Sequence, residues 1–198
     1  HSTLSYAPKP DKTKLVNIAS DFLSARGFTE IMSNSLTKGA YYENLTSFKA
    51  ENCVRILNPL SADLNIMRQT LLFNAMEAIQ LNVNRRNADL KLYELGNCYF
   101  FDAAAADPAK PLAKYTEKHC LAIAVTGADT AASWNAKPAQ SSFYTLRAAV
   151  EKVLARFGID IDSLRNRTSE CDLFSDAIEY MQGDRAVIRM GVVAPALR

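Results

Sequence analysis

The sequence predicts an α+β fold, a mainly antiparallel sheet flanked by helices, on three observations. Three stretches repeat their apolar residues at helical spacing, several others alternate apolar and polar residues at strand spacing, and most connections are short enough to join neighbours. The 198 residues are 48% hydrophobic and 22% charged, a composition that supports a sizeable core and excludes a disordered, collagenous or coiled-coil chain.

The first helix is expected over residues 11–26: Asp11 follows Pro10 at its start, Leu15, Ile18, Ala19, Phe22 and Leu23 share one face, and Gly27 stops it. Residues 28–36 follow as a strand, because Ile31, Ser33 and Ser35 alternate with Met32, Asn34 and Leu36. A short helix or turn over 38–45 and a brief strand over 54–57 come next, the latter ended by Asn58-Pro59 because proline donates nothing to a ladder. A second helix is expected over 69–85 with Leu72, Ala75, Met76, Ile79 and Val83 inward. A third is expected over 142–157 with Leu146, Val150, Val153, Leu154 and Phe157 inward, ahead of Gly158. Between them lie strands over 90–101 and 119–126, separated by an Ala-, Asp-, Pro- and Lys-rich surface loop over 102–118. The last third offers strands over 167–174, 177–181 and 186–193, with Gly183-Asp184 turning between the last two. Residues 1–10 read as an N-terminal extension or expression remnant ahead of a single domain over 11–198.

The composition excludes several kinds of chemistry. No apolar run approaches the ~18 residues of a membrane span, since the longest, over 121–128, is interrupted by Thr126 and Gly127. Cys53, Cys98, Cys120 and Cys171 are far apart and form no CxxC pair, so a reducing cytoplasm is expected, and no signal peptide is read at the start. With His1 and His119 the only histidines, a His-rich metal site cannot be assembled, and His119 reads as a strand residue rather than a catalytic base. The seven glycines are isolated, which removes a P-loop and a dinucleotide fingerprint. Asp160 and Asp162 alternate with Ile159 and Ile161 as in a solvated turn rather than a catalytic carboxylate pair. Arg85-Arg86 either completes the second helix or meets an RNA phosphate, and Trp134 reads as an anchor beneath its loop.

Four motifs stand in order: Gly27-Phe28-Thr29-Glu30-Ile31, Asn58-Pro59-Leu60-Ser61, Met67-Arg68-Gln69-Thr70-Leu71-Leu72 and Tyr93-Glu94-Leu95-Gly96-Asn97. Phe143-Tyr144-Thr145-Leu146-Arg147 and Gly191-Val192-Val193-Ala194-Pro195-Ala196-Leu197 follow them. Together they resemble the catalytic-like core of the β subunit of bacterial phenylalanyl-tRNA synthetases over nearly the whole chain. The resemblance implies a class II aminoacyl-tRNA synthetase-like antiparallel sheet flanked by helices, excised from a longer chain, that has lost its chemistry. It also implies a catalytic α subunit as partner in a cytoplasmic α2β2 assembly, with tRNA(Phe) reached through the holoenzyme, which uses ATP and magnesium. No catalytic residue, cofactor or metal is expected in this chain.

Two sets of residues follow from the likeness. Leu15, Ile18 and Phe22, on the first motif's helix, are the candidate partner interface, and Asn58, Pro59, Ser61, Arg68, Glu94 and Gly96 are candidate structural motif residues. Arg68 is expected either to fix the 58–67 loop or to reach toward the partner, and Glu94 to lie on the sheet surface or in a buried pair with an arginine. An ATP clamp of this class needs two arginines. Here the first position falls among Cys98, Tyr99, Phe100 and Phe101, and only Arg189 or Arg198 is available for the second. Phe174-Ser175-Asp176-Ala177 stands where many relatives carry His-Pro-Gly, and Ala194 where they carry histidine, so no role is transferred to that corner. Two other readings remain: an active class II paralogue with cryptic arginines meeting on the sheet, and a stand-alone RNA-binding module with a basic face around Arg85, Arg86, Arg165 and Arg167. The formal net charge of +2 counts against the second of these.

Overall fold

The computed structural model describes residues 11–131 and 133–197, so the expectations for residues 1–10 and for Arg198 lie outside the described residues. Helix α1 (Lys12–Ala25) starts where the sequence places it, with the Asp11 carboxylate accepting from the Lys14 amide at 3.2 Å. At its far end the Phe28 amide returns to the Leu23 carbonyl, and Phe28 drops into the core.

The expected strand over 28–36 is broken into two short pieces, β1 (Thr29–Glu30) and β2 (Leu36–Thr37). Side chains capture the backbone donors between them: the Glu94 carboxylate takes the Ser33 amide at 3.1 Å and Asn34 Oδ1 takes the Leu36 amide at 2.9 Å. A 3-10 turn over Gly39–Tyr42 leads to β3 (Val54–Arg55) and β4 (Ile66–Met67), which form with β2 a small antiparallel sheet in the order β2-β4-β3.

Helix α2 (Leu72–Asn84) begins three residues later than its apolar pattern suggests, because Thr70 Oγ1 accepts the Leu72 amide and both Gln69 and Arg68 are committed elsewhere. Its inward face also differs from the expected stripe. Phe73, Asn74 and Ala75 are buried at the first turn, Leu72, Met76 and Ile79 are half-buried, and Val83 is exposed as the helix runs off the core. The Arg85 and Arg86 side chains stand exposed beyond the helix, and their amides close it on the Asn82 and Val83 carbonyls. Arg86 does this at φ 63°, in the left-handed region. Arg86→Gly is therefore expected to stabilise the chain by about 0.5–1 kcal/mol, the left-handed cost less glycine's extra unfolded-state entropy, read as a rise in urea midpoint.

Strand β5 (Leu90–Phe101) has its expected bounds. Strand β6 (Tyr115–Thr126) begins four residues before its expected start, because Cys98 to Phe101 find antiparallel partners in Lys118 to Tyr115, and the Phe101 and Tyr115 rings pack with centroids 5.5 Å apart. After β7 (Ala128–Thr130) and β8 (Ala139–Gln140), helix α3 (Phe143–Arg156) opens on a reciprocal Ser142/Thr145 capping box. The last sheet has the order β11-β10-β9, from β9 (Arg165–Thr168), β10 (Phe174–Gln182) and β11 (Arg185–Val193). The expected strand over 167–174 thus divides between β9 and the start of β10, while the Gly183-Asp184 turn stands as expected.

In the first sheet β1 runs parallel to β5 and β5 antiparallel to β6 along all twelve residues. Tyr93 and Leu95 of β5, with Leu121, Ile123 and Val125 of β6, pack against Ala19 and Leu23 of α1 and Ala149 and Val153 of α3. A second cluster joins Tyr42, Cys53, Ile66, Phe73, Cys171 and Leu173. Full burial of a side chain such as Leu23 contributes ~1.5–3 kcal/mol. Strand alternation then turns Glu94, Gly96 and Cys98 to the face away from α1 and α3.

Candidate functional site: the open face of the sheet

Arg68 leaves the end of β4 and is fixed by backbone on both sides, its amide donating to the Ser35 carbonyl at 2.9 Å and its carbonyl accepting from the Tyr99 amide at 2.8 Å. Its guanidinium donates from Nη1 to Glu94 Oε1 at 2.8 Å and to Asn74 Oδ1 at 3.4 Å, and from Nε to the Asn97 carbonyl at 3.0 Å. Both members of the pair have side chains only 3% exposed. Of the two expectations for Glu94, the buried pair is the one found. These bonds tie β5 to the first turn of α2 rather than to the 58–67 loop, so the expected loop-fixing role is not the one found. Gly96 belongs to the same unit, because a Cβ there would collide with Arg68 Nη2 and press on Leu71. Asn58, Pro59 and Ser61 stand exposed in the β3–β4 connection, where the Ser61 carbonyl accepts from the Leu64 amide.

A second charged cluster lies on the other sheet, and the sequence pattern did not single it out. Glu179 of β10 is 3% exposed and accepts from Arg167 Nε and Nη2 at 3.0 and 2.9 Å, from Arg189 Nε at 2.6 Å and from Ser169 Oγ at 3.0 Å. Burial pushes the Glu179 carboxyl up, but these donors outweigh it and hold the group below its usual range. The signal that could have found it is register: β10 places Glu179 directly opposite Arg167 of β9 and Arg189 of β11. Tyr180, the next residue, reaches Glu151 of α3, so Glu179 points away from the helices. Because α3 packs on both β6 and β11, both charged clusters lie on the sides of their sheets turned away from α3.

On those sides the guanidinia of Arg68, Arg167 and Arg189 are each held by a carboxylate. The other clamp position, 98–101, brings no guanidinium; Phe100 instead lies under Lys118 Nζ, 4.6 Å from its ring centroid. Gly191 has a packing reason of its own, since a Cβ would strike the Asp176 carbonyl and Ala177. His119 is exposed, with Nδ1 2.7 Å from Asn97 Oδ1. Asp160 caps the short turn over Ile161–Ser163 by accepting the Asp162 amide, as a solvated turn requires. Trp134 is 97% exposed and anchors nothing, contrary to expectation, because its loop stands off the core. Among the described residues no group of three His, Cys, Asp or Glu side chains is placed to hold a metal, and no helix is long and apolar enough to cross a membrane.

The chain matches the family model described as the phenylalanyl tRNA synthetase beta chain CLM domain over residues 1–198. It belongs to that family.

Relatives of the family include the phenylalanine–tRNA ligase beta subunits of Bacteroides thetaiotaomicron, 44% identical over 100% of this chain and 24% of that protein, and of Bacteroides fragilis, 45% identical over 97% and 24%. The corresponding subunit of Porphyromonas gingivalis is 40% identical over 90% of this chain and 22% of that protein. The chain therefore spans about a quarter of the length of these relatives. Two solved structures of pyrrolysyl-tRNA synthetase from Desulfitobacterium hafniense superpose with TM-scores of 0.62 and 0.59 at 15% and 17% identity, each over 90% of this chain and 57% of the other. That likeness gives the fold, a class II synthetase-like α+β core, as the sequence motifs implied.

The first motif's stripe divides between two environments. Leu15 is 39% exposed and Ile18 half-buried, while Phe22 packs on the first core cluster with the guanidinia of Arg26 and Arg156 over its ring at 5.6 and 5.2 Å. Of the four arginines an RNA-binding face would use, the Arg167 guanidinium is bonded to Glu179, the backbone amides of Arg85 and Arg86 close α2 while their side chains stand exposed, and Arg165 is exposed on β9.

Proposed function

We propose that the chain is the catalytic-like but noncatalytic core of a phenylalanine–tRNA ligase β subunit. It supports a catalytic α subunit, which attaches phenylalanine to tRNA(Phe) with ATP and magnesium in a cytoplasmic α2β2 assembly, and it meets tRNA only through that holoenzyme. The observation that carries this reading is that the three guanidinia of these faces, Arg68, Arg167 and Arg189, are each already bonded to a carboxylate. A triphosphate is stabilised by guanidinium donors that are free to turn toward it, and transition-state charge is usually met by such preorganised groups. Here Arg68 is buried against Glu94, and Arg167 and Arg189 close on the buried Glu179. Turning Arg68 toward a phosphate would strand Glu94, a carboxylate already out of water, and turning Arg167 or Arg189 would take from the buried Glu179 one of its two guanidinium partners. What the arrangement does instead is brace strands: Arg68 and Glu94 tie β4, β5 and α2 together, and Glu179 ties β9, β10 and β11.

Association with the α subunit tests the partner half of this reading, and the two environments on α1 separate interface from core. Leu15→Glu is expected to change stability by less than about 0.5 kcal/mol, as an exposed substitution does, while weakening capture of the α subunit by about tenfold. Phe22→Glu is expected to lower the melting temperature because it buries a charge on the core cluster. Pull-down beside thermal unfolding reads both. Undiminished capture by the Leu15 variant would remove α1 from the interface, and no capture by the unmodified chain would remove the partner.

A further inference from the structure

All four cysteines are unbridged, and they occupy two kinds of site. Cys53 and Cys171 sit inside the second core cluster, where Cys53 Sγ accepts from Gln69 Nε2 at 3.0 Å and burial pushes its thiol up. Cys98 and Cys120 are placed otherwise. In the β5–β6 ladder Cys120 lies opposite Gly96 and Cys98 opposite Lys118, so the two side chains are diagonal neighbours on one face of the ladder, and Cys120 Sγ donates to the Lys118 carbonyl at 3.7 Å. Gly96 carries no side chain, and the space above it is filled by the Arg68 guanidinium, which sets a fixed cation beside both sulfurs. Lys118 and Arg185 add positive charge at Cys120, and Glu94 adds negative charge at Cys98. Cys98 is 2% exposed, whereas Cys120 on the edge strand is half-buried and reachable.

These surroundings divide the labour between the sulfurs. The neighbouring Cys98 thiol, with the cations adding to it against the effect of burial, brings the Cys120 thiol down to about 7. The Cys120 thiol in turn, followed by burial, pushes the Cys98 thiol up. A partly exposed, cation-flanked thiolate is the reactive form of cysteine, and an adjacent protonated thiol is the usual resolving partner.

We propose that Cys120 and Cys98 are an oxidant-reactive dithiol, in which Cys120 reduces a hydroperoxide and Cys98 then closes a disulfide onto it. In the first step the Cys120 sulfur attacks one peroxide oxygen; the S–O bond forms as the O–O bond breaks, and the alcohol, or water from hydrogen peroxide, leaves after taking a proton from solvent. In the second step Cys98 gives up its proton and its sulfur attacks the Cys120 sulfenic acid; the S–S bond forms as the S–O bond breaks, and the hydroxide leaves as water with that proton. The hydroperoxide is the two-electron oxidant, the two thiols supply the electrons, and an external dithiol reverses the change.

The test uses the reduced full chain treated with stoichiometric hydrogen peroxide, followed by alkylation and peptide mapping. The expected product is a Cys98–Cys120 disulfide reversed by dithiothreitol, with Cys53 and Cys171 still alkylated. Without oxidant, Cys120 should alkylate at least roughly tenfold faster than Cys53 at about pH 7.5, following its thiolate character and exposure. In Cys98→Ala the reaction should stop at a Cys120 sulfenic acid that dimedone captures, and in Cys120→Ala the Cys98 thiol should stay reduced. Oxidation of Cys120 in the unsubstituted chain with Cys98 left alkylatable overturns the proposal, as does a Cys120 no more reactive than Cys53. The map of the unsubstituted chain decides the matter should either variant fail to fold.

Discussion

Glu94→Leu is expected to cost about 3–5 kcal/mol of stability, because it leaves the Arg68 guanidinium buried with its carboxylate removed. At ~2–4 °C per kcal/mol for a chain of this size, the melting temperature should fall on the order of 10 °C. The pair itself is a different quantity from the cost of breaking it. Two buried charges give up hydration that their attraction only partly returns, so Arg68→Met with Glu94→Leu together should recover most of the loss. The Asn97 carbonyl would lose a donor in that double variant, which sets a residual deficit of about 1 kcal/mol. Thermal unfolding of the two singles and the double closes the cycle. Singles within about 1 kcal/mol of the unsubstituted chain would show that this ion pair does not hold β5 to the rest of the fold.

Glu179→Gln should cost about 2–3 kcal/mol at neutral pH, since charge-assisted bonds from Arg167 and Arg189 are replaced by weaker ones at a buried site. The pH dependence has a definite sign. The folded Glu179 carboxyl lies below the unfolded value near 4.5, so its contribution is complete above that value and is lost as pH falls through the lower, folded one. The gap between the unsubstituted chain and Glu179→Gln, read from urea midpoints, should be constant from about pH 6 to 8 and narrow in acid below about pH 4.5. A gap that widened in acid would mean that Glu179 is not the carboxylate holding the arginines.

The parts of the fold written in local chemistry were legible. Asp11 and the Ser142/Thr145 box mark helix starts through their own hydrogen bonds to the first turn, and the alternation over β5 is long enough to fix both ends of that strand. What was not legible depends on partners distant in sequence. The run 28–36 alternates like a strand, but Glu94, 61 residues from Ser33, takes its backbone donor. The four residues that open β6 look like loop until the end of β5 lies beside them. Helix α2 buries Phe73 and Asn74 rather than Val83 because Tyr42 and Arg68 wait for them at its first turn. The site shows the same division. Arg68, Glu94 and Gly96 were marked by motif likeness, yet their mutual contact is a tertiary fact, and Glu179 had no signal until the registers of β9, β10 and β11 put an arginine on each side of it.

The central claim is that the open face of this class II-like core is closed to ATP by its own ion pairs. Phenylalanine-dependent exchange of labelled pyrophosphate into ATP measures it directly, with the full chain purified free of any synthetase. Exchange at background is the result the account predicts, unchanged by Arg189→Ala. Exchange above background that Arg189→Ala abolished would show a guanidinium of this face acting on the nucleotide, and would contradict the account.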